Sequence, residues 1–242
     1  MKPSRVPSSR SGALTVSVVI PARDEEERIA ACLEALLEQD EPADEIIVVD
    51  NGSTDATPRI AAELGATVIA EPRPGISVAR STGFDRASGD VLARIDADTI
   101  VPTDWVGRLR AIFAADPSLD AVGGAASQVE SGPAVQSVSK RVYEAFRELH
   151  EVTMGAGPLL YGHNMALRAE AWRRIRGVVT LDDEQISEDV DVALAILATG
   201  GNVRYVEDLE VEADVVRTLK PAKLAKYVRR DALTREKYRD AD

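Results

Sequence analysis

Four short aliphatic runs, "VSVVIPA", "EIIVVD", "ATVIAE" and "VLARID", recur between helix-like segments in the N-terminal part of the chain. Each is too short for a buried helix and too uniformly apolar for a strand with one wet face, so each reads as a strand covered on both sides. The segments between them carry helical spacing. "EEERIAACLEALLEQ" puts Ile29, Leu33, Leu36 and Leu37 on one stripe. "STDATPRIAAEL" reads as a capped helix and "SVARSTGFDRA" as a third helix. "PTDWVGRLRAIFAAD" reads as a fourth, opening at Pro102 and Thr103. This βαβαβαβ order calls for a mostly parallel α/β sheet with helices on both faces and a Rossmann-like N-terminal half.

After Asp120 the rhythm changes. "AVGGAASQV" reads as a strand, "AVQSVSKRVYEAFRELHEVT" as a long amphipathic helix, and "GAGPLLYGHNMALR" as a Gly-rich loop returning to a strand. "AEAWRRIRG" and "SEDVDVALAILATGG" read as helices, "NVRYVEDLEVEA" as a strand, and a last helix begins near Pro221. With no repeat or linker, the expected organisation is a disordered leader over residues 1–14, one domain over 15–216 and a basic helix over 217–242.

The net charge of −12 argues against nucleic acid as a partner. Charge is uneven, however: Arg217 to Asp242 holds nine Lys/Arg against four Asp/Glu, a segment suited to peripheral contact with anionic lipid, to a phosphorylated acceptor or to a solvated helix face. A single cysteine, Cys32, precludes an internal disulfide, and the Ser/Pro/Arg-rich start lacks the apolar core of a signal peptide. Both features fit a cytoplasmic protein.

Ligands of open parallel sheets sit beyond the C-terminal strand ends. Here those ends deliver "PARDEE", "DNGSTD" and "DADT", a polar and acidic edge. A dinucleotide-binding turn needs G-x-G-x-x-G, and the first turn has no glycine; a P-loop is absent too. A diphosphate on this edge therefore needs another neutraliser. Asp96 and Asp98, two residues apart and on one side of the chain, suit Mg²⁺ or Mn²⁺, since Mg²⁺ typically takes one or two carboxylates and completes its shell with substrate phosphates. Another D-x-D, Asp189 and Asp191, shows that the triplet alone is weak; the strand end gives the first one its weight.

Taken together, these segments resemble the family 2 glycosyltransferases, which have the GT-A fold, from about Val16 to Glu210. By that resemblance "VVIPARDEE" holds the nucleotide of a nucleotide-diphospho-sugar donor, implicating Pro21, Ala22, Arg23 and Glu25. "VVDNGSTDAT" places Asp50 at the base, with Ser53 and Asp55 shaping the turn, and "GISVARSTGFDRASGD" brings Arg80 near the nucleotide. "DADT" supplies Asp96 and Ala97 to the diphosphate, and Asp96 and Asp98 to the metal.

"YGHNMALRAEAWRRIRG" resembles the acceptor side, and "ISEDVDVALAILATGG" the segment whose aspartate acts as base; Glu188 and Asp189 then stand at the acceptor hydroxyl, with Asp189 as base. Read from sequence alone, the same stretch is a helix N-terminus with Ser187 as N-cap. The family's processive members carry Q-x-x-R-W and flanking membrane helices; neither occurs here, so a metal-dependent inverting enzyme that adds a single sugar is expected.

The resemblance makes a UDP-sugar the expected donor, with GDP- and dTDP-sugars also used in the family, and glycan, lipid phosphate and small molecule all stand as acceptors. The rivals are a sugar-1-phosphate nucleotidyltransferase, whose Gly-rich first turn is missing, and a non-catalytic nucleotide-sugar-binding partner subunit, which would have lost the D-x-D or the base. Tyr161 is a further candidate for the acceptor pocket. His163 suits phosphate, acceptor, metal or a hydrogen-bonded loop; Trp105 and Trp172 suit a sugar or the core. The Gly155–Gly162 stretch suits a lid or a plain connection, and His150 carries no assignment.

Overall fold

The computed structural model describes residues 12–129, 131–155, 157–214 and 221–239. The first half follows the expected alternation: β1 (Val16–Ala22), α1 (Ile29–Leu37), β2 (Glu45–Asp50), α2 (Thr57–Glu63), β3 (Thr67–Ala70), α3 (Ile76–Arg86), β4 (Val91–Arg94) and α4 (Trp105–Ala115). The second half contains β5 (Ala121–Gln128), α5 (Pro133–Met154), β6 (Met165–Arg168), α6 (Ala169–Ile175), α7 (Glu188–Ala198), β7 (Val203–Ala213) and α8 (Pro221–Arg239). Most of the leader expected over residues 1–14 lies outside the described residues.

The strands form one sheet in the order β3-β2-β1-β4-β6-β5-β7. Only β6 among the described strands runs antiparallel to its neighbours, β4 and β5. Every residue of β1 and β4 is buried, which is why both read as unbroken apolar runs. The sequence direction reverses at the β1/β4 pair: β2 and β3 lie to one side, and the later strands to the other. Turns leaving adjacent strand ends there diverge and open a crevice, the usual ligand position in such sheets.

Between β5 and β7 the register slips at Gly124/Ala125. Asn164 fills the irregularity, donating from Nδ2 to the Ala125 carbonyl at 2.9 Å and the Leu209 carbonyl at 2.6 Å, while its Oδ1 accepts from Trp105 Nε1 at 3.1 Å. A Cβ on Gly124 would stand 2.2 Å from Asn164 Nδ2, so a side chain there is excluded. This fixes the "GHN" turn on the sheet and gives Trp105, wholly buried, a core role. Trp172 is also buried and donates to Asp85 at 2.8 Å.

The basic C-terminal helix packs back onto the domain. Lys237 reaches Asp191 at 2.7 Å and Arg230 approaches Glu184 at 3.6 Å; Arg235 donates to the Thr153 carbonyl at 3.0 Å. Asp191, fully buried, also accepts from Tyr238 and from the Thr180 backbone N–H. The other D-x-D is thus half structural: Asp191 anchors α8. No described helix is long and apolar enough to cross a membrane.

Candidate active site

The turns leaving β1 and β2 are laced together by their own polar side chains. Asp24, with φ of 54°, accepts from the Thr54 N–H at 2.7 Å, and Ser53 Oγ accepts from the Asp24 N–H at 3.1 Å. Asp55 takes the Glu26 and Thr57 N–H groups, and Glu26 takes the Ala56 N–H. Ser53 and Asp55 thus bond within this turn, and Ser53 is spent on it. Asp50 accepts from the Ser53 N–H at 3.1 Å and lies outside the cavity lining. Its neighbour Asn51 lines the cavity instead, tied by Nδ2 to the Glu71 and Arg73 carbonyls and by Oδ1 to the Gly75 N–H.

A cavity of about 960 Å³ occupies the crevice. Its sheet side is formed by Pro21, Ala22, Arg23 and Glu25 from the first turn, and by Asp96, Ala97 and Asp98 beyond β4. Glu188, Asp189 and Asp214 also line it. The residues expected at the donor are thus brought together, except Asp50, Ser53 and Arg80.

Arg80 is wholly buried and does not line the cavity. It sits on the face of α3 that packs inward, where its Nε lies 3.1 Å from Glu188 Oε2 and its guanidinium lies 5.3 Å from the Trp172 ring centroid. Glu188 also pairs through Oε1 with Arg94, whose Nη2 reaches Asp96 Oδ1 at 2.8 Å. A charge line therefore runs Arg80–Glu188–Arg94–Asp96, joining the base of α7 to the D-x-D turn. Glu188 is an ion-pair partner of two buried guanidiniums, so its carboxylate is committed to holding the site together. Burial pushes the Arg94 pKa down, but Glu188, Asp96 and Asp189 outweigh it and keep the group above its usual value.

Gly162 makes this arrangement possible. A Cβ there would meet the Arg94 guanidinium at 2.3 Å, and the Gly162 N–H donates to Asp189 Oδ2 at 3.2 Å. Asp189 also accepts from the Val190 N–H at 2.9 Å. Burial first, and then the Glu188 charge, raise its carboxyl to about 6 against the pull of Arg94 and both N–H donors. A carboxylate poised near neutrality and lining a cavity is suited to proton abstraction.

Ser187 holds the N-cap position of α7, but its hydroxyl donates to Asp231 on α8 and makes no cap bond to its own helix. Asp231 also faces His150 Nε2 at 3.0 Å, and His150 Nδ1 lies 3.1 Å from the Tyr161 hydroxyl. Tyr161 lines the cavity within an aromatic group that includes Tyr143 and His163. Burial lowers the His163 pKa to about 4, so the ring is neutral at pH 7; its Nε2 lies 3.2 Å from the Tyr143 hydroxyl. Leu159 and Leu160 are fully buried, which makes the segment before Tyr161 a packed connection and not a free lid.

Sequence reasoning missed Arg94, His150, Asn51 and Asp231. Arg94 left a signal, a cation inside an otherwise aliphatic strand; Asp231 left none, because its partners, Ser187 and His150, lie far off in the sequence.

Among the described residues no three His, Cys, Asp or Glu side chains gather as a metal cage. Asp96 and Asp98 nonetheless fit a hard cation that shares its shell with substrate phosphates: both line the cavity, and the Asp96 side chain keeps 38% of its surface exposed while its Oδ1 is held by Arg94.

A crevice at the switch point of a mostly parallel sheet, edged by an acidic strand end and a half-buried aspartate, is the arrangement of the GT-A glycosyltransferases. The chain belongs to glycosyl transferase family 2, whose sequence profile matches residues 17–176. It is similar to the mannosyltransferase PcManGT from Pyrobaculum calidifontis, solved with GDP-Man and Mn²⁺, at a TM-score of 0.65 and 26% identity, covering 88% of this chain and 61% of that one. The Mycobacterium tuberculosis glucosyl-3-phosphoglycerate synthase, in complex with Mn²⁺, UDP and glucosyl-3-phosphoglycerate, shares the fold at a TM-score of 0.60 and 22% identity, with 91% and 81% coverage. Among curated relatives, the glycosyltransferase AglE of Haloferax volcanii is 38% identical over 101 residues, which are 38% of this chain and 33% of that protein. The low-salt glycan biosynthesis hexosyltransferase Agl6 of the same organism is 46% identical over 89 residues, 36% of this chain and 21% of that protein. The match thus spans about a third or less of these relatives' length.

Proposed function

We propose that this chain moves one sugar, with inversion, from a nucleoside-diphosphate donor to an acceptor hydroxyl. The observation that carries the reading is Asp189: a half-buried carboxylate, held by the Gly162 and Val190 N–H groups and lifted to about 6, lining the same cavity as Asp96 and Asp98. Inversion needs one displacement at the anomeric carbon. Asp189 takes the acceptor proton as the acceptor oxygen attacks, and the bond to the diphosphate oxygen breaks. A divalent cation held by Asp96 and Asp98, when bound, supplies Lewis-acid stabilisation of the departing diphosphate. Arg94 fixes the Asp96 carboxylate, and the Gly162 and Val190 N–H groups orient Asp189. The GDP-Man and Mn²⁺ in the 26%-identical mannosyltransferase support a metal-assisted nucleotide-sugar donor here.

The test is Asp189→Asn. Titration calorimetry with nucleoside diphosphate and Mn²⁺ is expected to give the wild-type affinity. Turnover is expected to fall by about 10²-fold or more, the lower range for loss of a general base. Retained turnover would remove Asp189 from the role.

A further inference from the structure

One stretch of the cavity wall is apolar. Ala134, Val135, Val138, Val142 and Phe146 of α5 all line the cavity. Val135, Val138 and Val142 are 54%, 60% and 47% exposed, so nothing among the described residues covers them. The stripe continues beyond the cavity with Leu149 and Val152, 63% and 78% exposed. Residues 135, 142 and 149 recur at seven-residue spacing, as do 138, 145 (Ala) and 152. This gives one narrow apolar seam along a helix of 22 residues, roughly 33 Å.

A sugar-only acceptor needs hydrogen-bonding groups around it; the polar α5 residues that line the cavity, Ser139, Tyr143 and His150, are already bonded to Gln128 and Gln136, to His163 and to Tyr161, and the seam beside them adds none. The cavity's polar end is acidic: Glu25, Asp96, Asp98, Glu188, Asp189, Asp214 and Asp231 against Arg23, Arg94 and Arg230. A divalent cation at Asp96 and Asp98 is offset by the donor diphosphate it shares, so an anionic head would still meet net repulsion there, whereas a neutral hydroxyl would meet Asp189. A second protein helix seated on Val135, Val138 and Val142 would obstruct the cavity that these same residues line.

We infer that the acceptor is a hydroxyl-headed amphiphile, its head at Asp189 and its apolar chain lying along α5. This rests on the transferase reading of the same cavity. In the step it implies, the head-group oxygen bonds to the anomeric carbon, the carbon–oxygen bond to the diphosphate breaks, and the hydroxyl proton passes to Asp189.

The experiment titrates isotope-labelled protein, with UDP or GDP and Mn²⁺ present, using methyl, octyl and dodecyl β-glucosides below their micellar concentrations. Valine methyl shifts provide the readout. Full burial recovers about fourfold in affinity per methylene; a one-sided seam recovering under half of that gives roughly tenfold tighter binding from octyl to dodecyl. The expected result is one site, shifts at Val135, Val138 and Val142, and loss of the chain-length gain in Val138→Asp, with a smaller loss in Leu149→Asp. Both positions are exposed, so the variants fold. Equal affinity across the three glucosides overturns the inference, as does a gain that survives Val138→Asp. Sedimentation in which Val138→Asp turns a dimer into a monomer without changing glucoside binding also overturns it, and gives the seam to a second copy. Nucleotide titration of the wild type separates the two readings. Nucleotide binding without a chain-length effect sinks this inference alone, and no nucleotide binding sinks the transferase reading.

Discussion

Replacing Glu188 by Gln tests whether the site is held by a buried charge line or merely contains one. Arg80 and Arg94 are 0% and 1% exposed, and both meet the Glu188 carboxylate. The Nη atoms of Arg80 have no hydrogen-bond partner among the described residues, and the guanidinium lies near the Trp172 ring, so Glu188 is its main compensation. Gln is isosteric and still offers one oxygen, but it leaves two desolvated cations facing a neutral amide. Removing one partner of a buried pair costs about 3–5 kcal/mol, and the retained oxygen puts this case toward the lower end. For a chain of this size that is a fall in melting temperature of roughly 6–20 °C.

A second consequence separates Glu188 from ordinary core residues. Its charge helps raise the Asp189 carboxyl, while Arg94 lowers it. With Glu188 neutralised and Arg94 left unbalanced, Asp189 ionises at lower pH, so the acid limb of kcat/KM shifts down. Urea unfolding and a pH profile on the same variant check both effects. The pair Arg80→Met with Glu188→Gln should recover part of the lost stability, a coupling of about 0.5–3 kcal/mol. Glu188→Gln within 1 kcal/mol of wild type, with an unmoved acid limb, would refute the charge-line reasoning.

Two further outcomes follow from the same geometry. Asp189 in the folded chain titrates at about 6 against an ordinary 3.8, so its ionisation is penalised in the native state above pH 6 and not below pH 4. Wild-type kcat/KM should therefore rise with pH to a plateau above about 6. Asp189→Asn should be more stable than wild type at pH 7.5 by up to about 3 kcal/mol and by only about 0.5 kcal/mol at pH 4; equal effects at both pH values in denaturant titrations would contradict the raised carboxyl. Asp191→Ala strips the buried partner from Lys237 and Tyr238; a loss of about 3 kcal/mol or more and faster amide exchange across α8 are expected, and an undisturbed α8 would show that the helix docks by other contacts.

Much of this was legible in the chain because it is local. Strand hydrophobicity fixes β1, β2 and β4, and chain order brings "PARDEE" and "DADT" to the same edge. The D-x-D and "SEDVD" segments carry their acids at helix or strand ends, where such groups have either solvent or chemistry to serve. What was not legible depends on which element packs beside which. Arg80 lies in the segment expected near the nucleotide, yet α3 turns it inward to Glu188, 108 residues away. Ser187 has the residue type and place of an N-cap, but Asp231 competes for its hydroxyl. The basic count of the C-terminal helix suggested an outward electrostatic surface; Lys237 and Arg235 instead point back onto the domain, because Asp191 and the Thr153 carbonyl are there to meet them.

The most direct test of the central claim is titration calorimetry of UDP, GDP and dTDP with Mn²⁺ and with EDTA, on wild type and Asp98→Ala. One nucleotide should bind with Mn²⁺ and weaken at least tenfold in EDTA, and Asp98→Ala should erase that difference. No binding of any nucleotide, or an affinity indifferent to both metal and Asp98, would contradict a metal-assisted nucleotide-sugar site at the β1/β4 crevice.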